Sequence, residues 1–492
     1  MGEQMYKSRK GQQSLLEDAR IYGGVKLDTR NEWVKLGAVI PWDEFEKEYA
    51  ATFQGAATGN LAKTARMALG TLLIKERYQF SDEDTVKEVQ MNPYLQHFIG
   101  MTEFTHKAPF DASTITLFRK RVTPEMLSKL NDSIMGLSRR EEEPPDDTPS
   151  GGERPEQRDP TENNQNKGTL ILDATCAPQA IRYPTDISLL NEARELLEKM
   201  VTTGHKTGGW EEKPRTYCRT ARKDYLRYAR NRKPSFKQLR KALKRQLGYV
   251  SRDIGYLQEL LMRNPQALPE RMLEQLKTIS LLFEQQREMY QNKKHRVENR
   301  IVSIHQSWVR PIVRGKANAA VEFGAKIEVA LMDGYARVED LRWDAFNEGG
   351  TLRDSVERFK AATGYYPERI LADKLFRTRD NLQYCKDHGV HLNGPKLGRP
   401  PKDIAVYRDQ CRQEREESSE RNAIECNFGV GKRRYSLGYI TMKLQHTSEV
   451  AIHLVFLSMN LQKRLRSLLC AFFLRWFSLP PHPLFIFHSL AA

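Results

Sequence analysis

The chain has 492 residues, 39% of them hydrophobic, and its 79 lysines and arginines outnumber 63 acidic residues, for a formal net charge of +16. At roughly 100 to 200 residues per domain, this length predicts about three domains. The hydrophobic content excludes a wholly disordered chain, since such a chain could not offset the entropy lost on ordering. The excess positive charge favours a polyanionic partner, and both nucleic acid and an anionic membrane remain open on charge alone.

The amino-terminal third has a helical pattern. Apolar residues recur at helical spacing between Asn60 and Leu130, and Ser81 with Asp84 resembles a helix-starting box. A further helix is expected to start with Asp111 as its N-cap and to end in three cations, Arg119, Lys120 and Arg121. Short helices that end in a basic one suit a helix-turn-helix DNA reader. A small helical bundle whose cations only solvate its surface fits the same pattern equally well.

Residues 139 to 167 contain no apolar side chain and are rich in Pro, Glu, Asp and Asn, so they predict a disordered linker. The first twenty residues contain no apolar run, which argues against a secretory signal. The last apolar stretch, from Leu468 to Phe487, is interrupted by Arg475 and by two prolines, which disfavours a membrane span and favours a docked or aggregation-prone tail. The six cysteines form no CxxC pair, which fits a reduced, intracellular protein.

After the linker, the apolar run from Thr169 to Leu172 predicts a buried strand that ends at Asp173. A long basic helical block follows, with fourteen Lys or Arg residues against one acid between Lys213 and Arg245. Apolar residues then repeat at three- and four-residue steps, which predicts two long helices folded back as an antiparallel hairpin. Five cations lie mainly off this seam and are expected to face outward, namely Lys237, Arg240, Lys241, Lys244 and Arg245. The last four are expected to contact DNA phosphates, although a merely solvated helix face remains the alternative.

Strands return near Lys326. Two apolar runs flank Asp333-Gly334, which is a strong signal for a type I′ hairpin. A helix from Leu352 to Thr363, a strand from Arg369 to Ala372, a helix from 377 to 388 and a strand from 390 to 392 are expected next. This order predicts an α/β fold in which helices pack on a mixed sheet.

Two aspartates, Asp173 and Asp373, follow predicted strands, and strand carboxyl ends are where α/β sheets present ligand-binding groups. Paired carboxylates repel unless cations lie between them, and hard oxygen ligands suit Mg²⁺. A third acid, Glu425, shares a helical face with Arg421, and the cations Lys432, Arg433 and Arg434 follow as phosphate partners. Three carboxylates could hold two metals for displacement at a phosphodiester.

Other acids and metal-binding residue types have simpler interpretations. Asp333 is expected to serve the hairpin turn, because an Asp-Gly pair is what that turn requires. Glu348 is expected to lie at a helix start as a charge against the helix dipole. Cys385, His388 and His391 span a helix end and a strand, so a shared zinc site is not expected there.

Four segments carry a resemblance to a known family: LILDATCAPQAIRYPTD around Asp173, FGAKIEVALMDGY before the hairpin, GYYPERILADKLFRTRDNLQYCKDHGVHLNGPKLGRP around Asp373, and RNAIECNFGVGKRRYSLGYI around Glu425. The chain resembles DDE-type transposases of bacterial insertion sequences, specifically the insertion sequence five group and its longer relatives. The family's helix signature of Tyr, Arg, Glu and Lys is matched by Arg421, Glu425 and Lys432, whereas Ser418 stands where Tyr is usual. Arg421 and Lys432 are expected to contact DNA phosphates, with ion pairing on the helix surface as the alternative.

The resemblance implies an RNase H-like catalytic domain, formed by residues 169–184 and 319–465, in which Asp173, Asp373 and Glu425 hold two Mg²⁺ ions, with Mn²⁺ as a possible substitute. It implies a helical amino-terminal DNA-binding domain over residues 1–138, and the basic insertion then covers residues 185–318. The expected partners are double-stranded DNA, as element ends and as target, and a second copy of the chain in the DNA complex, with no membrane. The expected location is the cytoplasm, associated with the nucleoid.

The sequence leaves three functions open. The first is a transposase that cuts at element ends and joins the 3′ ends to target DNA. The second is an inactive or repurposed DNA-binding protein, which the complete acidic triad disfavours and the apolar tail from 466 to 492 keeps open. The third is a hydrolytic nuclease with the same triad but without strand transfer.

Overall fold

The computed structural model describes residues 26–53, 61–137, 166–207, 210–316, 319–395 and 403–478. Almost all of the predicted linker and the end of the predicted apolar tail lie outside the described residues. In the described part of the chain, no helix combines the length and apolar character that crossing a bilayer requires.

The described amino-terminal residues form helices around a common apolar core. They are α1 (Glu32–Val39), α2 (Trp42–Ala51), α3 (Ala65–Tyr78), α4 (Asp82–Met91), α5 (Pro93–Phe98), α6 (Ala112–Arg121) and α7 (Pro124–Met135). The two predicted helix starts are confirmed, because the side chain of Ser81 accepts from the backbone N–H of Asp84 and that of Asp111 from the N–H of Ser113. Side-chain caps satisfy backbone donors that no turn of the helix can reach.

The central sheet is mixed, which agrees with the predicted α/β class. Its strands are β1 (Thr169–Pro178), β2 (Arg310–Lys316), β3 (Ala319–Met332), β4 (Tyr335–Arg342), β5 (Arg369–Ala372) and β6 (His391–Leu392). They lie in the order β2-β3-β1-β5-β6, and β4 pairs with β3. The β1–β3 pair is antiparallel, whereas β1–β5 and β5–β6 are parallel. The hairpin prediction is confirmed, since both central residues have positive φ, +49° at Asp333 and +75° at Gly334.

Four element boundaries were wrong. Strands return before the predicted Lys326, because β2 begins at Arg310 and pairs with a β3 that begins at Ala319. β1 continues five residues past Asp173 to Pro178, because β3 pairs with it along that whole length. The helix expected over 377 to 388 is shorter, α13 (Arg379–Asp387), since the side chain of Thr378 caps its start. The last strand is also shorter than expected and begins at His391.

A helical insertion separates β1 from β2. It consists of α8 (Asp186–Lys206), α9 (Cys218–Ala229), α10 (Phe236–Arg263) and α11 (Glu270–Asn292). The predicted hairpin of two long helices is confirmed by the cluster in which Val250, Ile254 and Leu257 of α10 pack with Ile279 and other residues of α11. α8 joins the same cluster, which the sequence pattern did not predict.

The remaining helices cover the sheet and join its parts. α12 (Leu352–Thr363) packs on one face, and α14 (Ile404–Arg434) contacts β1 and β5. The last helix, α15 (Gln445–Ser478), contributes Val450, Leu454, Leu457 and Leu461 to the core of the amino-terminal helices. A buried network adds polar contacts at this junction, because Asn460 of α15 bonds to Asn131 of α7 and to the backbone of Ala336 in β4. The amino-terminal helices are therefore packed directly against the central sheet.

Candidate active site

The register of two parallel strands brings Asp173 and Asp373 to adjacent positions. Leu172 of β1 pairs with Ala372 of β5, so the next residue on each strand is an aspartate. Leu170 and Leu172 pack with α12, and alternation along the strand turns Asp173 to the opposite face, where α14 lies. Asp373 caps a short 3₁₀ turn, and its Oδ1 accepts from the N–H of Lys374 at 2.7 Å. The sequence did not predict that Asp173 would lie inside a strand that continues beyond it.

The Asp173 carboxyl lies in a crowded electrostatic environment. Its pKa is raised from 3.8 to about 6, chiefly because the carboxyl is buried. The N–H of Ala174 and the Arg421 guanidinium lower the pKa, and the negative charges of Glu348 and Asp373 add to the rise. Negative charge is concentrated at this site, because Glu348 and Asp373 both lie close enough to Asp173 to affect its pKa. Such a site attracts cations, because a positive charge between carboxylates relieves their repulsion.

The third predicted acid, Glu425, is connected to Asp173 by an arginine that contacts both carboxylates. Arg421 of α14 lies 3.4 Å from Asp173 Oδ2 through Nη1 and 3.3 Å from Glu425 Oε1 through Nη2. The Arg421 side chain is largely buried, whereas that of Glu425 is 57% exposed. Arg421 was predicted to contact DNA phosphate, and in the structure it bridges two of the three acids.

The cations after Glu425 lie along the end of α14. Lys432 lines a cleft of about 390 Å³ together with Lys75 and Glu76 of the amino-terminal helix α3. Glu76 is buried and accepts from both the backbone N–H and the hydroxyl of Ser436. Arg433 is exposed, and its Nε donates to the carbonyl of Gly429 at 3.1 Å. This cleft thus has walls from the amino-terminal helices and from the end of α14, the helix that carries Glu425.

Glu348 is a site neighbour that the sequence interpretation assigned only to a helix start. It begins a 3₁₀ turn before α12, and its carboxylate pairs with Lys326 of β3 at 2.8 Å, with both side chains mostly buried. Beneath it, Glu328 is fully buried and hydrogen bonds to Thr351 and Ser355, and burial raises its pKa to about 7. The only available sequence signal was that Glu348 and Glu328 lie in the segment between the two aspartates.

The donor chemistry of the site suits a hard divalent cation, since Asp173, Asp373 and Glu425 supply only carboxylate oxygens. As the side chains lie, however, no three His, Cys, Asp or Glu residues of the described chain form a group arranged to hold a metal ion. Arg421 occupies the position between Asp173 and Glu425. Holding a metal through all three carboxylates would therefore require Arg421 to move from this bridging position.

The three cations predicted at the end of α6 have different environments. Arg119 makes a bidentate pair with Asp82 at 2.8 and 2.6 Å, and only 11% of its side chain is exposed. Arg121 lies over the ring of Phe53, 3.9 Å from its centroid. Lys120 is exposed. Arg119 and Arg121 thus stabilise the amino-terminal helices, and Lys120 is the member of the trio that faces solvent.

The four predicted cations of α10 also differ in exposure and in their partners. Lys241 and Lys244 are exposed. Arg240 is half-buried, lies over the ring of Tyr290 at 4.2 Å and donates to its carbonyl at 3.1 Å. Arg245 remains partly exposed and pairs with Asp224 at 2.8 Å. The two lysines are the better placed of the four to meet a polyanion.

The residues considered for zinc do not share one centre. Cys385 is buried, and burial raises the pKa of its thiol to about 11. His388 contacts the carbonyl of Tyr384 through Nδ1, and His391 Nε2 lies 2.7 Å from Glu417. These partners are carbonyl and carboxylate groups of the protein itself.

Comparisons with known proteins match two parts of the chain to transposase domains. Residues 370–462 match the family model "Transposase DDE domain", and residues 24–121 match "Transposase domain (DUF772)". The first match includes Asp373 and Glu425 but not Asp173. An uncharacterised protein, ORF8 in the nfe locus of Rhizobium meliloti, is 29% identical over 204 residues, which are 42% of this chain and 86% of that protein. No solved structure matches significantly. The two family matches support a DDE-type transposase and thus an enzyme that cuts and joins DNA.

Proposed function

We propose that the chain is the transposase of a bacterial insertion sequence, of the insertion sequence five group, which cuts DNA at the element ends and joins the 3′ ends to a target. The observation that carries this proposal is the register of β1 and β5, which sets Asp173 beside Asp373 on the face that α14 covers. The mixed sheet, with one acid on its first strand, one after a neighbouring parallel strand and one on the covering helix, supports an RNase H-like fold.

In this proposal, Asp173, Asp373 and Glu425 would hold two Mg²⁺ ions, with Mn²⁺ able to replace them. Bound there, the metals would activate the attacking oxygen and stabilise the leaving oxygen at phosphorus. The chain's own residues have distinct tasks. Burial and the neighbouring acids make Asp173 costly to ionise alone, so it favours a cation. Arg421 neutralises Asp173 and Glu425 before DNA arrives, and it is close enough to turn to a phosphate afterwards.

The proposed DNA contacts extend from the site in two directions. Lys432 and Arg433 would contact the phosphates next to the scissile bond, because they follow Glu425 on the same helix. The exposed lysines of the insertion, Lys241 and Lys244, would bind the backbone without regard to sequence. Lys120 is the amino-terminal cation proposed to help choose the ends. The working complex would be a homodimer on DNA, in the cytoplasm and associated with the nucleoid.

The test of the chemistry uses labelled DNA that carries the ends of the encoding element, a supercoiled plasmid target, and Mg²⁺. We expect both nicked ends and joined products from the parental protein. Asp173→Asn, Asp373→Asn and Glu425→Gln should each abolish both products and leave end binding largely intact, since binding rests on cations elsewhere. Asp333→Asn is the matched control, because it removes a carboxylate from a turn where asparagine also tolerates positive φ. Cleavage by any of the three acid variants would remove that residue from the triad.

The same assay separates the alternatives. An inactive DNA-binding protein would bind the ends without nicking them, and a hydrolytic nuclease would nick without joined products and without preference for the ends.

The two exposed lysines of the insertion have a test of their own. Lys241→Gln together with Lys244→Gln should flatten the dependence of log affinity on log salt by about 0.9 for each phosphate that the protein no longer neutralises. The variant should bind specific and random DNA more weakly by similar factors. An unchanged slope would remove these two lysines from the DNA-binding surface.

A further inference from the structure

A cleft of about 230 Å³ opens between α9 and α10 of the helical insertion, and Ile187 at the start of α8 contributes to its wall. The cleft is smaller than the pockets of drug-sized ligands, which usually occupy about 300–1,000 Å³. Its size suits one flat heterocycle. None of the triad residues lines it, so the cleft is separate from the candidate active site.

The wall of the cleft carries a buried acceptor without a donor. Gln246 is only 1% exposed, and its Nε2 donates to the carbonyl of Ala221 at 3.3 Å. Its Oε1 has no hydrogen-bond partner among the described residues. Buried polar atoms are normally satisfied by protein, water or ligand. Because Gln246 lines the cleft, an N–H or O–H donor of a ligand seated there would satisfy this oxygen.

The remaining walls combine aromatic rings with cations. Tyr225 and Tyr228 are half-buried and line the cleft, as do the exposed side chains of Arg227 and Lys241. The one lining carboxylate, Asp224, is paired with Arg245 at 2.8 Å and accepts from the Tyr249 hydroxyl at 3.0 Å. Aromatic rings stack on nucleobases of any sequence, and cations bind the attached phosphates. A flat ring with an N–H donor and a neighbouring phosphate matches all three features.

We propose that this cleft binds one unstacked nucleobase of the DNA, with a base N–H donated to Gln246 Oε1, the base ring against Tyr225 or Tyr228, and the adjoining phosphate on Arg227 or Lys241. This inference rests on the proposed function, because it takes DNA as the ligand. The cleft is also tied to the catalytic sheet, since the Arg182 guanidinium, four residues beyond β1, donates to the Tyr225 hydroxyl at 3.5 Å. An extruded base held there would fix the path of the strand relative to β1.

Fluorescence anisotropy with the full-length protein tests the proposal, using labelled duplexes of one random sequence. The duplexes differ only at one position, which is fully paired or carries a bulged adenosine, a bulged purine nucleoside without the amine, or a bulged abasic site. The abasic bulge controls for the flexibility that any bulge gives a duplex. We expect the adenosine bulge to bind at least about five-fold more tightly than the abasic bulge, the lower end of what stacking one base on an aromatic ring contributes.

Two variants assign the contacts. Tyr228→Ala should bring the adenosine preference over the abasic bulge close to one. The parental protein should prefer adenosine over the amine-free purine by about five-fold, as one neutral hydrogen bond contributes, and Gln246→Leu should bind the two equally. Phe236→Ala is the matched control, because Phe236 is an exposed aromatic residue of the same basic segment that lies outside the cleft. It should keep both preferences.

Three results would overturn the proposal: no preference of the parental protein for the adenosine bulge, an equal loss in Phe236→Ala, or an amine preference that survives in Gln246→Leu. Each leaves the proposed function standing if element ends are still cut and joined. Conversely, absence of cutting by a protein that keeps the adenosine preference would count against the proposed function and not against the cleft.

Discussion

The buried network around Asn460 predicts that the amino-terminal helices and the central sheet unfold together. Asn460 is 1% exposed and joins three elements. Its Nδ2 donates to Asn131 Oδ1 at 2.8 Å and to the Ala336 carbonyl at 2.7 Å, and its Oδ1 accepts from the Ala336 N–H at 2.9 Å. Asn460→Leu keeps a similar side-chain volume and removes all three bonds.

The expected loss of stability in Asn460→Leu can be worked out from the polar groups that lose their hydrogen bonds to Asn460. The Ala336 carbonyl keeps a bond, because Asn131 Nδ2 donates to it at 3.1 Å. The Ala336 N–H and the Asn131 Oδ1 lose the bonds that Asn460 supplied and remain buried. An unsatisfied buried polar group costs about 1–3 kcal/mol, so the two together predict a loss of ~2–6 kcal/mol in the free energy of unfolding.

Urea unfolding followed by circular dichroism and by tryptophan fluorescence measures this loss. The tryptophans report on both parts, since Trp33 and Trp42 lie among the amino-terminal helices and Trp308 and Trp343 pack in the cluster on the sheet. Ser458→Ala on the same helix is the control, because the Ser458 Oγ is buried without a hydrogen-bond partner in the described chain, so its removal breaks no hydrogen bond and should not destabilise the protein.

The expected result is one transition by both probes, shifted to lower urea in Asn460→Leu. A loss no larger than that of Ser458→Ala would refute the reasoning about unsatisfied groups. Two separate transitions in the parental protein would refute the conclusion that the amino-terminal helices and the sheet form one cooperative unit.

Three further predictions concern stability and DNA choice. Burial lowers the pKa of His453 from 6.5 to about 4, so the unfolded chain takes up a proton before the folded chain as pH falls. Up to ~3 kcal/mol in the free energy of unfolding is therefore lost between pH 6.5 and 4. His453→Gln should reduce this loss, which the urea midpoints measured across an acid titration would show. Burial raises the pKa of Asp253 from 3.8 to about 7, so the folded protein loses stability as pH rises between those values. Asp253→Leu should therefore stabilise the protein at pH 8 by at most ~4 kcal/mol. Equal urea midpoints for the variant and the parental protein at pH 8 would contradict this. Arg119→Ala should mainly lower thermal stability, since it breaks the bidentate pair with Asp82. Lys120→Ala should leave stability unchanged and reduce the ratio of end-specific to random DNA affinity, because Lys120 is exposed. The reverse pattern would identify Arg119 as a DNA contact.

Features with a local cause were predictable from the sequence. The caps at Ser81 and Asp111, the positive φ at Asp333 and Gly334, and the paired helices of the insertion follow from side chains within a few residues of each other. The ordered set of acids was also visible, because an apolar run before an aspartate is a feature of the sequence itself.

Features that depend on contacts distant in sequence were decided only by the tertiary structure. Asp173 lies inside a strand because β3, more than 140 residues later, pairs with β1 beyond it. Arg119 became a structural residue because Asp82 lies on another helix of the same core. The approach of Glu348 to Asp173 and the bridge made by Arg421 depend on how a turn and a helix pack on the sheet. Charge and periodicity show that a cation is present and which helix face it occupies, but its partner is set by packing, and that partner decides whether the cation meets DNA or stabilises the fold.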